Sequence, residues 1–407
     1  MTARILWLAA SALLFQCGNS QTIDGDHIRK HIKVLASDSL EGRGAGSKGE
    51  RMAAAYIQSQ FESFKLQPKG ADGKYLQPFT FKSGVHNTGE ELSASNVIGY
   101  LDNSAAHTII IGAHYDHLGL GGGGNSLEAN SEGMIHNGAD DNASGVAGLL
   151  ELARYFSFNG VKENNNFLFI CFSAEELGLV GSKYFTENPS IDLNQVTYMI
   201  NMDMVGRVDP DSRVLSVSGS GTSPVWEPTL AKLSSDKIVI KTDSSGTGPS
   251  DHTSFYLKNI PVLHFFTGSH RDYHKPSDDW DKINYAGEVD VLNVIVNLVK
   301  NLEPEPKLTF LTTKNKSMNT ARSFKVTLGI MPSYTSSEEG LQVDGVTEGK
   351  PGFAAGLKTG DIIVQMGDMT IKDIQNYMEA LSKFEAGQTV PVKVKREGKV
   401  VELKVTF

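Results

Sequence analysis

Four apolar segments, each followed closely by acidic or histidine side chains, constrain the fold of this chain most strongly. They run over residues 108–113, 167–172, 196–202 and 260–266. Apolar runs of this length, with little alternation, are typical of strands that are buried on both faces of a parallel sheet. The sequence therefore predicts an α/β domain with a mostly parallel central sheet flanked by helices.

The residues that follow these segments, together with a carboxylate at the start of a helix, are candidate site residues. They are His114, Asp116, Asp140, Glu175, Glu176, Asp203 and His274. Since parallel strands end at one edge of a sheet, we expect these side chains to converge there. Clustered carboxylates without counter-ions would repel one another, at a cost on the order of several kcal/mol. A pair of metal ions would remove that repulsion.

The order of these residues resembles that of the co-catalytic zinc exopeptidases, in particular the family of bacterial secreted aminopeptidases, glutamate carboxypeptidase and glutaminyl cyclase. The similarity covers roughly residues 35–302 and includes Leu40-Glu41-Gly42-Arg43-Gly44 and Ser250-Asp251-His252-Thr253-Ser254-Phe255. A neighbouring family of acylase-like and dipeptidase-like hydrolases inserts a further domain before the last histidine. Between Asp203 and His274 there is too little chain for such a domain.

The resemblance implies a role for each candidate. His114 and Asp203 would hold one zinc ion, Glu176 and His274 a second, and Asp140 would bridge them across a cis Asp140–Asp141 peptide. Manganese or cobalt could occupy the same site. Two divalent ions against three carboxylates leave one positive charge, which suits a bridging hydroxide.

Three further residues are implied to act in catalysis. Asp116 would orient His114 through a hydrogen bond, and Glu175 would be the general base. Tyr273 resembles a residue that some members use to hold the tetrahedral oxyanion, although an aromatic residue beside a ligand histidine also serves simply to pack. We interpret His117, His136, His252 and His270 as structural or rim residues, and Asp251 and Asp278 as residues that brace loops.

The resemblance and the acidic chain together indicate a di-zinc aminopeptidase that acts on peptide substrates. A carboxypeptidase needs cations for the terminal carboxylate, and near the candidate ligands the chain offers Arg207 and Arg271. Two alternatives remain open at this point. One is a carboxypeptidase or dipeptidase with the same site, and the other is a non-catalytic peptide-binding envelope protein.

The first seventeen residues are typical of an export signal, with Arg4, an apolar run and Cys17. They resemble a bacterial lipoprotein signal, which predicts a periplasmic or outer-envelope lipoprotein, or a secreted protein after simple cleavage. A lipid anchor at Cys17 would be the contact with the membrane. The net charge of -9 and the lack of a long basic run argue against nucleic acid as a partner.

A second domain is expected after the exopeptidase domain, which we place at residues 24–303. Residues 304–320 are interpreted as a linker. Residues 321–407 resemble a bacterial-type PDZ domain on the strength of the run from Pro351 to Ile363. Such a domain would bind a peptide or protein C-terminus between a strand near residues 329–333 and a helix, or would only pack against the catalytic domain.

Overall fold

A computed structural model describes residues 21–82, 90–122, 125–303, 307–313, 326–332, 340–346, 349–372 and 374–407. The expected export signal and Cys17 lie outside these residues. Among the described residues, no helix combines the length and the hydrophobicity needed to cross a bilayer.

The first sheet has nine strands in the order β1-β3-β5-β4-β6-β9-β7-β8, with β2 paired to β3. Their bounds are β1 Gln67–Pro68, β2 Leu76–Lys82, β3 Glu91–Leu101, β4 Thr108–His114, β5 Asn166–Phe172, β6 Val196–Met202, β7 Val214–Ser218, β8 Val239–Asp243 and β9 Val262–Phe266. The neighbours β5, β4, β6 and β9 are parallel, whereas β3 and β7 run antiparallel to them. The expected α/β architecture is confirmed.

Helices cover both faces of this sheet, which explains why its central strands are apolar throughout. The bounds are α1 Gly25–Leu35, α2 Lys48–Ser63, α3 Gly145–Phe158, α4 Val180–Glu187, α5 Trp226–Leu233, α6 His252–Tyr256 and α7 Tyr285–Leu302. Ile109 and Ile111 of β4 belong to the core beneath α1, α2, α3, α5 and α7, whereas Ile110 belongs to the core beneath α4 and α6. Side chains alternate along a strand, so a strand buried on both faces is apolar at most positions.

The second sheet is antiparallel and lies in the C-terminal part of the chain, in the order β10-β11-β12-β14-β15, with β13 beside β12. Its elements are β10 Ile330–Pro332, β11 Leu341–Val346, α8 Pro351–Ala354, β12 Ile362–Met366, β13 Met369–Thr370, α9 Ile374–Leu381, β14 Thr389–Arg396 and β15 Lys399–Thr406. These residues have a hydrophobic core of their own, which includes Leu328, Ile363 and Val392. The strand expected at the groove begins at Ile330.

Part of the segment interpreted as a linker packs against the first unit. Leu308 is 6% exposed and joins the core beneath α7. Its amide donates to Thr197 Oγ1 at 3.1 Å, and the amide of Thr313 donates to the Tyr256 hydroxyl at 3.0 Å. Residues 307–313 therefore belong structurally to the first unit, and the linker that we placed at 304–320 is shorter there than expected.

This packing predicts that the point of truncation decides the stability of the first unit. A chain ended after Thr313 should keep the unfolding midpoint of the first unit, because the contacts of Leu308 and Thr313 with that unit remain. A chain ended at Lys307 loses the burial of Leu308, worth about 1.5–3 kcal/mol, and should melt several degrees lower. Thermal unfolding of both chains measures the difference. Equal midpoints would show that the packed segment contributes nothing.

Candidate metal centre

The candidate site lies where the four parallel strands end. His114 is the last residue of β4, Glu175 and Glu176 come shortly after β5, and Asp203 follows β6 directly. The loop after β9 leads to His274. The expected convergence at one edge of the sheet is therefore what the structure shows.

One group of metal-ligand type consists of His114, Asp141 and Asp203. His114 Nε2 lies 3.3 Å from Asp203 Oδ1 and 3.4 Å from Asp141 Oδ1. The other ring nitrogen, Nδ1, is 3.2 Å from the carbonyl oxygen of Asp116. Because a carbonyl only accepts, Nδ1 carries the proton and Nε2 presents its lone pair to the group.

A second group shares Asp141 and adds Glu176 with two imidazoles, those of His117 and His274. His274 Nε2 lies 3.2 Å from both Asp141 Oδ2 and Glu176 Oε2. His117 Nδ1 lies 2.9 Å from Glu176 Oε1 and 3.8 Å from Asp141 Oδ2. The carbonyl of Asn125 accepts from His274 Nδ1 at 2.9 Å, which again directs Nε2 towards the carboxylates.

The structure corrects the identity of the bridging carboxylate. Asp141, not Asp140, lies between the groups, with Oδ1 towards His114 and Oδ2 towards His274. Asp140 is engaged elsewhere, since Oδ2 lies 3.1 Å from His270 Nε2 and Oδ1 accepts from the amide of Gly206 at 2.7 Å. The cis peptide is likewise one residue further on, at Asp141–Asn142.

Asp116 is buried behind the site and positions the two glutamates. Its Oδ1 accepts from the amide of Glu175 at 3.1 Å, and its Oδ2 accepts from the amide of Glu176 at 3.3 Å. The carboxylate is 3.7 Å from His114 Nδ1. The hydrogen bond that orients this imidazole is instead accepted by the backbone carbonyl of Asp116. Asp116 therefore orients His114 as expected, but through its backbone carbonyl and not through its carboxylate.

The adjacent glutamates have opposite electrostatic environments. Burial raises the pKa of Glu175 well above its usual value, and Asp251 and Asp203 add to this effect. Burial also opposes ionisation of Glu176, but His274 and the hydrogen bonds from His117 and His274 outweigh it and lower its pKa to about 2. Because the pKa of Glu175 is raised and that of Glu176 is lowered, Glu175 suits a proton carrier and Glu176 suits a metal ligand.

Arg43 connects the glycine-containing loop near the start of the chain to the site. It is fully buried, and its guanidinium donates to the backbone carbonyls of Tyr115, Asn137 and Gly138. Gly42 beside it has φ 67°, and a Cβ there would lie 2.5 Å from the carbonyl oxygen of Gly119. The close backbone approach requires glycine at this position and fixes the loops that carry His114 and Asp141.

The other residues singled out from the sequence surround the two groups. The ring of Tyr273 stacks on that of His274 with centroids 3.9 Å apart. Asp278 Oδ2 accepts from the amides of Asp140 and Asp141 at 2.9 and 3.1 Å, which agrees with the interpretation of Asp278 as a brace. Ser250 donates to Asp203 Oδ2 at 2.7 Å, a contact that the sequence did not predict.

Sequence reasoning missed Asp141 and His117. No periodicity or spacing distinguishes Asp140 from Asp141, because both stand in the same turn before α3. His117 was interpreted as a structural or rim residue and not as a ligand, yet it is 2% exposed and lies within the second group. The signal in the sequence was its position, directly after His114 and Asp116 at the end of β4.

The donors fit a metal pair. In each of two triads, His114 with Asp141 and Asp203 and His117 with Asp141 and Glu176, the ligand atoms lie within 4.8 Å of one another. Imidazole nitrogens and carboxylate oxygens are donors that zinc accepts readily. Buried carboxylates at these distances need positive charge between them, and Asp141 offers one oxygen to each group.

Comparisons with known proteins identify two families in this chain. The model of Peptidase family M28 matches residues 96–299, and a PDZ domain matches residues 326–407. The chain is 26% identical over 246 residues to leucine aminopeptidase 2 of Arthroderma otae and 27% identical over 273 residues to leupeptin-inactivating enzyme 1 of Streptomyces exfoliatus. These matches cover 53% and 66% of this chain but 47% and 54% of the relatives, so the chain spans about half the length of each.

Solved structures show the same fold in the first unit. The LapA aminopeptidase of Legionella pneumophila matches with a TM-score of 0.52 and 24% identity, over 70% of this chain and 73% of that protein. A glutaminyl cyclase of Bacteroides thetaiotaomicron matches with a TM-score of 0.57 and 20% identity, over 70% of this chain and 99% of that one. With the family model matching half of its length, the chain belongs to Peptidase family M28 and carries a PDZ domain.

Proposed function

We propose that the chain is a metal-dependent aminopeptidase that removes N-terminal residues from peptides with the help of two zinc ions. The observation that carries this proposal is the position of Asp141, with one carboxylate oxygen 3.4 Å from His114 and the other 3.2 Å from His274. A carboxylate placed in this way can serve two ions at once. The relatives named aminopeptidases support the reaction class.

The ligands divide into two sets around that carboxylate. His114 and Asp203 would complete the first set, and His274 and Glu176 the second. Manganese or cobalt would accept the same donors. When bound, the ions supply a Lewis acid for the substrate carbonyl and lower the pKa of water. Hydrogen bonds from Ser250 to Asp203 and from His274 to the Asn125 carbonyl hold the ligands in orientation.

Glu175 is the residue that moves protons in this proposal. It lies beside Glu176 in the chain and is 9% exposed. Its raised pKa makes it a stronger base than an ordinary glutamate, so it can accept a proton from the attacking water. The same carboxyl then donates that proton to the leaving amine. Asp116 holds the amides of both glutamates and so fixes which of them faces the ligands.

Charge near the ligands favours recognition of a free N-terminus. Glu175, which is not among the ligands, supplies an acidic side chain beside them that suits a terminal ammonium. Of the two candidate cations for the terminal carboxylate of a peptide, Arg271 is exposed and Arg207 has one of its two terminal nitrogens, Nη2, on Asp272 Oδ2 at 3.2 Å. The carboxypeptidase alternative is therefore less well supported than the aminopeptidase.

A paired assay on one peptide of about ten residues tests which end is read. We expect stepwise loss of N-terminal residues from the unmodified peptide, no cleavage after N-acetylation, and little change after C-terminal amidation. Mass spectrometry of the shortened products identifies the end. Cleavage that survives N-acetylation and stops on amidation would assign the chain as a carboxypeptidase with the same site.

A further inference from the structure

A polar cavity of about 590 Å³ lies beside the candidate metal centre, at the same edge of the sheet. Its walls come from the loops after β6 and β9 and from the residues that precede α7. They include Arg207, Asp209, Thr267, Ser269, His270 and Lys282. The loop after β6 also carries Asp203, and the loop after β9 leads to His274, so the cavity and the ligands share two loops.

Three residues that line the cavity carry a buried polar atom that lacks a partner. Arg207 Nη1, Ser269 Oγ and His270 Nδ1 are all buried, and none has a hydrogen-bond partner in the part of the chain that the structure describes. A buried guanidinium N–H or hydroxyl without a partner is unfavourable. Because Arg207 and Ser269 can both donate, the missing partner is an acceptor.

The carboxylates near the cavity are engaged by other donors, so none of Asp272, Asp209 and Asp140 supplies the missing acceptor. Asp272 is shared between two cations, 3.2 Å from Arg207 Nη2 and 2.7 Å from Lys282 Nζ. Asp209 also lines the cavity, but its Oδ1 accepts from the amides of Asp211 and Ser212 within its own exposed turn. His270 is paired with Asp140 through Nε2, at 3.1 Å.

The two loops are hydrogen-bonded to each other and, through His270, to Asp140, the residue before the bridging Asp141. The amide of Arg207 donates to Thr267 Oγ1 at 3.3 Å, and that hydroxyl donates to the carbonyl of Met204 at 2.7 Å. On the other side, the residue bonded to His270 is Asp140, the neighbour of Asp141. The cavity is therefore connected to the candidate metal centre through His270 and Asp140.

We propose that Arg207, Ser269 and Lys282 bind a carboxylate of the substrate. The proposal rests on the proposed function and deepens it, because it assigns acidic or very short peptides as the favoured substrate class. An arginine beside a hydroxyl suits a carboxylate, since the planar guanidinium can offer two parallel N–H groups. The carboxylate is either that of an N-terminal Asp or Glu side chain or the C-terminal group of a dipeptide.

Calorimetric binding to the full chain with Glu175→Gln tests this proposal without turnover. The zinc-loaded variant is titrated with leucyl-leucine, leucyl-leucinamide, glutamyl-leucinamide and glutaminyl-leucinamide. Tighter binding of leucyl-leucine than of its amide assigns the C-terminal carboxylate as the ligand. Tighter binding of glutamyl-leucinamide than of its glutaminyl counterpart assigns the side chain.

A second substitution, added to Glu175→Gln, tests whether the preference for a carboxylate ligand depends on the cavity. Adding Arg207→Gln or Ser269→Ala should weaken binding of the carboxylate ligand at least tenfold more than binding of its uncharged counterpart. Arg213→Gln is the matched control. Arg213 lies in the same segment between β6 and β7, but its guanidinium donates to the carbonyl of Asp236, which does not line the cavity. That variant should leave all four affinities unchanged.

Two results would overturn the proposal. One is equal affinity for each carboxylate ligand and its uncharged counterpart, and the other is an equal loss for both ligands in Arg207→Gln and Ser269→Ala. Failure of the proposed function is read separately, as the absence of chelator-sensitive turnover of leucyl-leucinamide by the unmodified chain.

Discussion

Glu175→Gln should lower kcat by about 10²–10⁴-fold while the protein keeps its zinc. The substitution removes the carboxyl that exchanges the proton but leaves the ligand residues His114, Asp141, Asp203 and His274 untouched. Burial and the neighbouring acids raise the pKa of Glu175, which is the property that a general base requires. Steady-state kinetics on a leucyl substrate, with metal analysis of the same sample, measures both effects.

Glu176→Gln is the matched control, because it makes the same chemical change at the next residue. The Glu176 carboxylate lies 3.2 Å from His274 Nε2 and 2.9 Å from His117 Nδ1, within the second group. We expect this variant to lose metal affinity. If Glu175→Gln lost the metal and Glu176→Gln kept it, the roles of the two glutamates would have to be exchanged.

Asp141→Asn should weaken the binding of both ions at once, because one side chain serves both groups. Removal of a residue that only supports a ligand costs about 10–100-fold in metal affinity, so the loss of a shared ligand should exceed about 100-fold. Competition with a chromogenic chelator measures the two affinities. Activity should fall with the metal content and recover partly in excess zinc.

Asp140→Asn provides the comparison for the neighbouring carboxylate. It disturbs the contacts with His270 and the amide of Gly206, both of which are structural. We therefore expect a lower unfolding temperature with the metal content close to that of the unmodified chain. Loss of zinc from Asp140→Asn, with retention in Asp141→Asn, would restore the bridge to Asp140.

The sequence was sufficient to predict the sheet and its functional edge, for a clear physical reason. Strands buried on both faces are mostly apolar, so their ends are marked where charged residues cluster. His114, Glu175 and Asp203 were located in this way, and β4, β5 and β6 end where the composition changes. The C-terminal PDZ domain was predicted from a different signal, the resemblance of the run that begins at Pro351.

The remaining features depend on conformation that composition does not specify. Which of Asp140 and Asp141 faces His114 depends on the local turn, whose backbone includes a left-handed Gly138 at φ 54°. The inclusion of His117 depends on how Gly44 and Arg43 hold its backbone, through contacts distant in the sequence. The packing of Leu308 beneath α7 likewise joins residues that no local pattern connects.

Zinc titrated into the metal-free chain, with release of leucine from a leucyl peptide as the readout, tests the two-ion site most directly. Since Asp141 offers one oxygen to each group, activity should be absent after chelation and should reach its plateau at about two equivalents per chain. Full activity at one tightly held equivalent, or activity that persists in the presence of the chelator, would contradict the account.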